Sequence, residues 1–160
     1  MRGVYNFIIK PKFSRHESTK NVGNSELILN TDLQNHEYVS RIGIVVGLPN
    51  YNPTDIKEGD EVIVHHNVFR RFYDVRGNEK NSKSYYEKNL FFVTPDQVFG
   101  FKRNKTWVSL KDFCFVKPIK NTDDFSLEKE KPLMGVLKYF NSEDKTNINS
   151  IFEKEQPDAV

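Results

Sequence analysis

Asp55-Ile56-Lys57-Glu58-Gly59-Asp60-Glu61-Val62-Ile63-Val64 takes the chain from a polar approach straight into an apolar strand. Gly59 suits a turn that needs positive φ, and the Asp60 carboxylate is placed to accept hydrogen bonds from nearby backbone N–H groups. Beyond the turn the period is two: Val62 and Val64 share one face of a strand, and Glu61 and Ile63 share the other. The stretch therefore reads as a structural turn, Gly59-Asp60, feeding a strand over 61–66 of a small β-barrel.

The same pattern of short apolar runs between turn signals recurs on both sides. Upstream, residues 4–10 read as a strand closed by Pro11-Lys12. Arg41-Ile42-Gly43-Ile44-Val45-Val46-Gly47 reads as a second strand, in which Gly43 marks a bulge or a close backbone approach. Leu48-Pro49-Asn50-Tyr51-Asn52-Pro53 is a turn cluster. Downstream, Asp74-Val75-Arg76-Gly77-Asn78 reads as a hairpin tip. Leu90–Val93 and Val98–Phe101 are short strands separated by Thr94-Pro95-Asp96-Gln97, with Pro95 at the second turn position. Trp107-Val108, Phe113–Val116 and Leu133–Phe140 extend the series, and residues 141–160, polar with Ile151-Phe152 as the apolar pair, read as a loose tail or one short docked helix. Many short strands with frequent turns predict an all-β fold.

Composition agrees with that class. The 160 residues include thirteen Phe and seven Tyr but one Trp, with 37% hydrophobic and 29% charged residues. Aromatic richness favours strands over a helical bundle. The net charge of +2, from 24 basic and 22 acidic side chains, imposes no nucleic-acid or anionic-membrane partner. No apolar run approaches the roughly 18–20 residues of a membrane span. The N-terminus lacks the apolar core of a secretory signal, so a cytoplasmic protein is expected. Cys114, alone of its kind and inside Phe113-Cys114-Phe115-Val116, is expected to be a buried structural thiol.

Phe13–Glu26 has neither the strand nor the helix period and is expected to be a long mobile loop. It leads into Leu27-Ile28-Leu29, an aliphatic triplet between polar flanks, for which two readings stand: an edge strand or a binding segment. Phe7-Ile8-Ile9-Lys10-Pro11 is echoed by Phe115-Val116-Lys117-Pro118, and Gly43-Ile44-Val45-Val46 by Gly135-Val136-Leu137. A recurring strand–loop–strand unit and a chance match in β-rich sequence both account for the echo.

Other chemistry is thinly represented. His65-His66 sits on the expected strand 61–66, where neighbours point to opposite faces, so the pair is not expected to share a metal ion. His16 and His36 fall in loops, and no spacing matches a zinc site. Arg70-Arg71-Phe72-Tyr73, Arg76, Lys80, Lys83 and Tyr85-Tyr86 mix bases with aromatics. That mix suits single-stranded nucleic acid, the inner surface of a ring or a solvated edge, and the balanced net charge argues against nucleic acid. No phosphate loop or nucleophile-with-base motif is present, and neither an enzyme nor a cofactor is expected.

Taken in order, these segments resemble the GroES-type co-chaperonins. Ile8-Ile9-Lys10-Pro11-Lys12 is similar to the family's first strand, and Leu27-Ile28-Leu29 to the aliphatic tripeptide of its mobile loop. Arg41–Gly47 resembles its next strand, Ile56–Val64 its Gly-Asp-x-Val entry, and Leu90–Phe101 its closing strand–turn–strand. The resemblance covers residues 4–101 and implies a small GroES-like β-barrel over 1–101, with a C-terminal extension over 102–160. Three departures stand out: a short turn at 48–55 where the family has a roof hairpin, a longer 67–89 segment, and the extension itself. Such departures look like virus-encoded members, which implies a phage origin and, in that case, the host cytoplasm.

The resemblance further implies a heptameric ring that caps a GroEL-type chaperonin, which binds the ATP, around an unfolded client. Leu27, Ile28 and Leu29 would be the chaperonin-binding residues. Burying one Leu or Ile gains roughly 1.5–3 kcal/mol, and ordering each loop residue costs about 1–2 kcal/mol. Single loops then bind weakly and a ring of loops binds by avidity. The alternative from another class is a GroES-like structural or decorating protein of a larger assembly such as a virion.

Overall fold

The computed structural model describes residues 2–16, 19–23, 25–28, 35–51, 54–110, 113–122 and 129–140. In chain order the strands are β1 (Phe7–Pro11), β2 (Thr19–Val22), β3 (Ser25–Ile28), β4 (Ile42–Gly47), β5 (Glu61–Val64), β6 (Arg71–Tyr73), β7 (Glu79–Asn81), β8 (Tyr85–Glu87), β9 (Leu90–Val93), β10 (Val98–Arg103), β11 (Thr106–Ser109), β12 (Phe115–Lys120) and β13 (Glu130–Tyr139). Among the described residues the only helical pieces are two single 3-10 turns, at His36–Tyr38 and Pro95–Gln97. The protein is all-β.

Seven strands form one antiparallel sheet in the order β11-β10-β5-β4-β1-β9-β8. Three further hairpins, β2–β3, β6–β7 and β12–β13, pair only within themselves. The sheet is open: β11 and β8 are its two edges, and no ladder joins them among the described residues. The closed barrel expected from the sequence is therefore not found. The expected boundary at position 101 falls inside β10, and β11 carries the same sheet on to Ser109.

Period-two sequence places the core. In β4, β5 and β9 alternate residues are buried, so that Val45, Val62, Val64, Phe91 and Val93 point to one side. The segments between strands close over them. Ile56 from the polar approach and Val68-Phe69 from the turn after β5 are fully buried in the same cluster. Phe69 meets Phe91 edge-on at 4.9 Å between centroids, an arrangement aromatic pairs prefer. Gly43 earns its place by close approach: a Cβ there would collide with Ile9 Cγ2 and lie 3.1 Å from the Phe69 ring.

Three local expectations are corrected. The irregular loop over Phe13–Glu26 instead contains the β2–β3 hairpin, paired as Thr19↔Ile28, Lys20↔Leu27, Asn21↔Glu26 and Val22↔Ser25. Gly23-Asn24 is one of the dipeptides that favour two-residue hairpin turns, and Gly23 has φ +62. Cys114 is exposed rather than buried: its neighbours Phe113 and Phe115 are the ones that pack on the main sheet, at Phe99 and Gly100. His65 and His66 do not sit on a strand, since β5 ends at Val64.

The sequence echo has a counterpart in register. β1 and β4 pair as Ile9↔Val45, Lys10↔Ile44 and Pro11↔Gly43. β12 and β13 pair as Val116↔Leu137, Lys117↔Val136 and Pro118↔Gly135. Even the close approach recurs: a Cβ at Gly135 would meet Val116 Cγ1 and the Lys117 carbonyl, as one at Gly43 would meet Ile9 Cγ2 and the Lys10 carbonyl.

Candidate functional site

The excursion between β1 and β4 is the feature that stands off the main sheet. Its two stems continue the β1–β4 ladder: Lys12 N–H donates to the Ile42 carbonyl at 3.0 Å, Ser40 N–H to the Arg15 carbonyl at 3.0 Å, and His16 bridges Val39. Beyond that bridge the chain carries the β2–β3 hairpin. Leu27 is on β3 and 54% exposed, a large aliphatic side chain left in water. Ile28 follows on the same strand, paired with Thr19. The Ile28 side chain and Leu29 lie outside the described residues.

The Gly59-Asp60 turn anchors one stem. Gly59 has φ +91, and Asp60 N–H donates to the Lys57 carbonyl at 3.1 Å, closing the turn. The Asp60 carboxylate accepts from Lys57 N–H and from Arg103 Nη2, each at 2.9 Å, and Arg103 Nη2 also donates to the Asp55 carbonyl. Gly59 N–H donates to Val45 O and Val45 N–H to Asp60 O, so the turn is stitched to β4. The next residue, Glu61, accepts from Lys12 Nζ at 2.6 Å and lies 3.8 Å from Lys102 Nζ. That Lys12 hydrogen bond is the main reason the Glu61 carboxyl is held below its usual pKa. The turn thus grips the strand behind it and the root of the excursion ahead of it.

Farther out, the same stem is held by Arg15. Its guanidinium donates to the carbonyls of Phe69 and Arg70 and to Asn81 Oδ1, at 3.2, 3.4 and 2.7 Å, and lies 4.9 Å from the Phe91 ring centroid. Burial, with Arg71 second, lowers its pKa. One side chain therefore ties the excursion to the sheet and to β7. Neither Arg15 nor Arg103 stood out in the sequence, because Arg103 reaches Asp60 across 43 positions and Arg15 reaches Asn81 across 66. A salient local signal for either was lacking.

Three imidazoles gather beside this root. His65 and His66 rings lie 4.2 Å apart between centroids, and His36 lies 5.3 Å from His66. Opposite faces were expected for the adjacent pair, but in a turn the strand alternation no longer applies. Burial first, then the neighbouring His65, Arg41, His36 and Arg70, push the His66 pKa down. Among the described residues, no group of three or more His, Cys, Asp or Glu is arranged to hold a metal ion. Among the same residues no helix is long and apolar enough to cross a membrane.

The basic and aromatic stretch 67–89 splits into the β6–β7 hairpin, tipped at Asp74–Asn78 as expected, and the edge strand β8. The Asp74 carboxylate accepts from the N–H groups of Arg76 and Asn78, each at 2.9 Å, which lowers its pKa. Arg71 pairs with Glu79 across the hairpin at 3.0 Å, so part of the basic charge is spent locally.

Compared with known proteins, the chain matches no family model, no curated protein and no solved structure.

Proposed function

We propose that this protein is a co-chaperonin of the GroES type: a ring-forming β protein that caps a GroEL-type chaperonin through Leu27, Ile28 and Leu29. One observation carries the reading. The segments that resemble the family in sequence order lie on one antiparallel sheet, and the excursion with the aliphatic triplet leaves that sheet between β1 and β4. An exposed Leu27 on a self-paired hairpin gains by docking in an apolar groove, and several copies on a ring act together. The partner supplies ATP binding, and the site of action is the cytoplasm, that of the host for a virus-encoded member.

The test is the mass of the protein alone and mixed with a GroEL-type ring. A heptameric oligomer that joins the ring only with ATP is the expected result, and a monomer that ignores the ring sinks the proposal. The triple variant Leu27→Ser, Ile28→Ser, Leu29→Ser should keep its circular dichroism and lose ring association.

The second reading, a structural or decorating protein of a larger assembly such as a virion, is favoured by the β2–β3 hairpin itself. An attachment arm can be ordered in advance, whereas a lid loop is mobile when free. Amide exchange over β2 and β3 separates the two: slow exchange in the free protein favours the arm, and unprotected amides favour the lid.

A further inference from the structure

A second site lies away from the excursion, where the turn after β5 faces the segment between β7 and β8. A cavity of about 390 Å³ opens there, within the size range of small-molecule sites. Arg70, Lys83, Ser82 and Ser84 line it together with Asn67 and Gln97, and Phe72 forms one wall. No carboxylate lines it among the described residues. The Arg70 Nε–H is buried and has no hydrogen-bond partner among the described residues. Nε faces away from the cavity, so Arg70 would meet a ligand there through its terminal nitrogens. Lys83 is exposed, and neither it nor Arg70 joins an ion pair among the described residues.

The walls are fixed before any ligand arrives. Ser82 N–H donates to the Arg70 carbonyl at 3.1 Å and Ser82 Oγ to the Val68 carbonyl at 2.6 Å, binding the 82–84 segment to the turn. Phe92 N–H donates to the Ser84 carbonyl at 2.7 Å, and His65 N–H to the Gln97 carbonyl at 2.9 Å. Two cations, Arg70 and Lys83, with the Ser84 hydroxyl and no acid form an oxyanion receptor, and the charge of two suits a phosphate dianion. Phe72, with its ring partly exposed, offers an apolar plate beside it.

We propose that this cavity binds a small phosphate monoester, with the phosphate on Arg70 and Lys83 and the organic group against Phe72. The site is independent of the chaperonin reading, since none of its lining residues belongs to the excursion.

The test is an NMR titration of the full chain with adenosine 5′-monophosphate, inorganic phosphate and uncharged adenosine. Adenosine monophosphate and inorganic phosphate should shift the amides of Asn67, Arg70, Ser82, Lys83, Ser84 and Gln97, the monophosphate more tightly. Adenosine alone should shift none. Lys83→Gln, at an exposed position, should weaken binding about tenfold, the scale of one lost charge-assisted hydrogen bond. Arg70→Gln should weaken it further, and Phe72→Ser should erase the advantage of the monophosphate over inorganic phosphate. Absence of localised shifts at millimolar phosphate overturns the proposal. Equal affinity in Lys83→Gln and the unmodified chain overturns it as well, whether or not Arg70→Gln folds.

Discussion

The β1–β4 and β12–β13 ladders are the same piece of structure in two settings. Ile9 corresponds to Val116, Lys10 to Lys117, Pro11 to Pro118, Gly43 to Gly135 and Val45 to Leu137, pair for pair. Yet Ile9 is 0% exposed and Val116 is 53% exposed. β1 and β4 each have a further neighbour, β9 and β5, and a core closes over them; among the described residues β12 and β13 share a ladder only with each other, although Phe115 reaches the main sheet at Gly100. Register is therefore written in the local sequence, in the glycine that admits the opposing side chain and the alternation around it. Burial is not local. It depends on which other strands the chain supplies, and an isolated two-stranded hairpin is marginal in water without them.

Matched substitutions break the comparison most forcefully at its centre. Ile9→Asp puts a charge into the core and should cost roughly 4 kcal/mol or more, enough to unfold the sheet, whereas Val116→Asp should stay within about 0.5 kcal/mol. Urea denaturation followed by fluorescence checks both. Equal costs would mean that the second ladder is covered in solution.

The glycines come next. Gly43→Ala forces Ile9 and Phe69 apart in a packed core and should cost about 1–3 kcal/mol. Gly135→Ala meets Val116 Cγ1 and the Lys117 carbonyl but no aromatic ring, and Val116 faces water and can yield. Its effect should be confined to faster amide exchange in β12 and β13, with the melting temperature of the sheet unchanged.

This contrast also marks how far the sequence could be read. The alternation in Arg41–Gly47, Glu61–Val64 and Leu90–Val93, and the turn at Gly59-Asp60, were legible because strands and turns are encoded over a few neighbouring residues. The exposure of Cys114 was not, because an apolar run looks the same whether or not a second layer exists. The open sheet likewise depends on which edges meet, and no period reports that. Within the candidate site, Leu27 and the Gly59-Asp60 turn were visible, and Arg15 and Arg103 were not. Their partners lie dozens of residues away, and a lone arginine near a strand end is unremarkable in one dimension. The β2–β3 hairpin was missed because polar strands lack the hydrophobic alternation that marks buried ones.

Acid should separate the two ladders by a smaller margin. Lys12, directly after Pro11, holds Glu61, while the residue directly after Pro118 is Ile119. The Glu61 carboxyl is lowered in the folded state, so its stabilisation is complete above the ordinary value of 4.5 and is lost as pH falls through the lower folded value. His66 is lowered too. Its unfolded form takes up a proton more readily, so stability present above 6.5 is lost as pH falls from there toward the folded value. Melting temperatures from pH 8 downward should therefore fall in two steps. His66→Gln should remove the first, Lys12→Met should flatten the second, and amide exchange in β12 and β13 should follow neither. A profile unchanged in both variants would place the acid sensitivity elsewhere.

The smallest energetic effect offers the cleanest reading of the difference. Cys114 occupies the place in the second ladder that Phe7 fills in the first, one residue before the counterpart of Ile8. Phe7 is buried at 2% exposure and Cys114 is exposed. An exposed thiol reacts through its thiolate without waiting for the fold to open. Native protein should thus be labelled by iodoacetamide at Cys114 nearly as fast as denatured protein, and Cys114→Ser should leave stability unchanged. A thiol moved to the first ladder, Phe7→Cys in the Cys114→Ser background, should be labelled only on unfolding, at a rate that rises with urea. The ratio of the two native rates measures what the flanking strands add to an otherwise shared ladder. Protection of Cys114 equal to that of the introduced Cys at position 7 would show that the second ladder has found a cover, and the two ladders would no longer differ in setting.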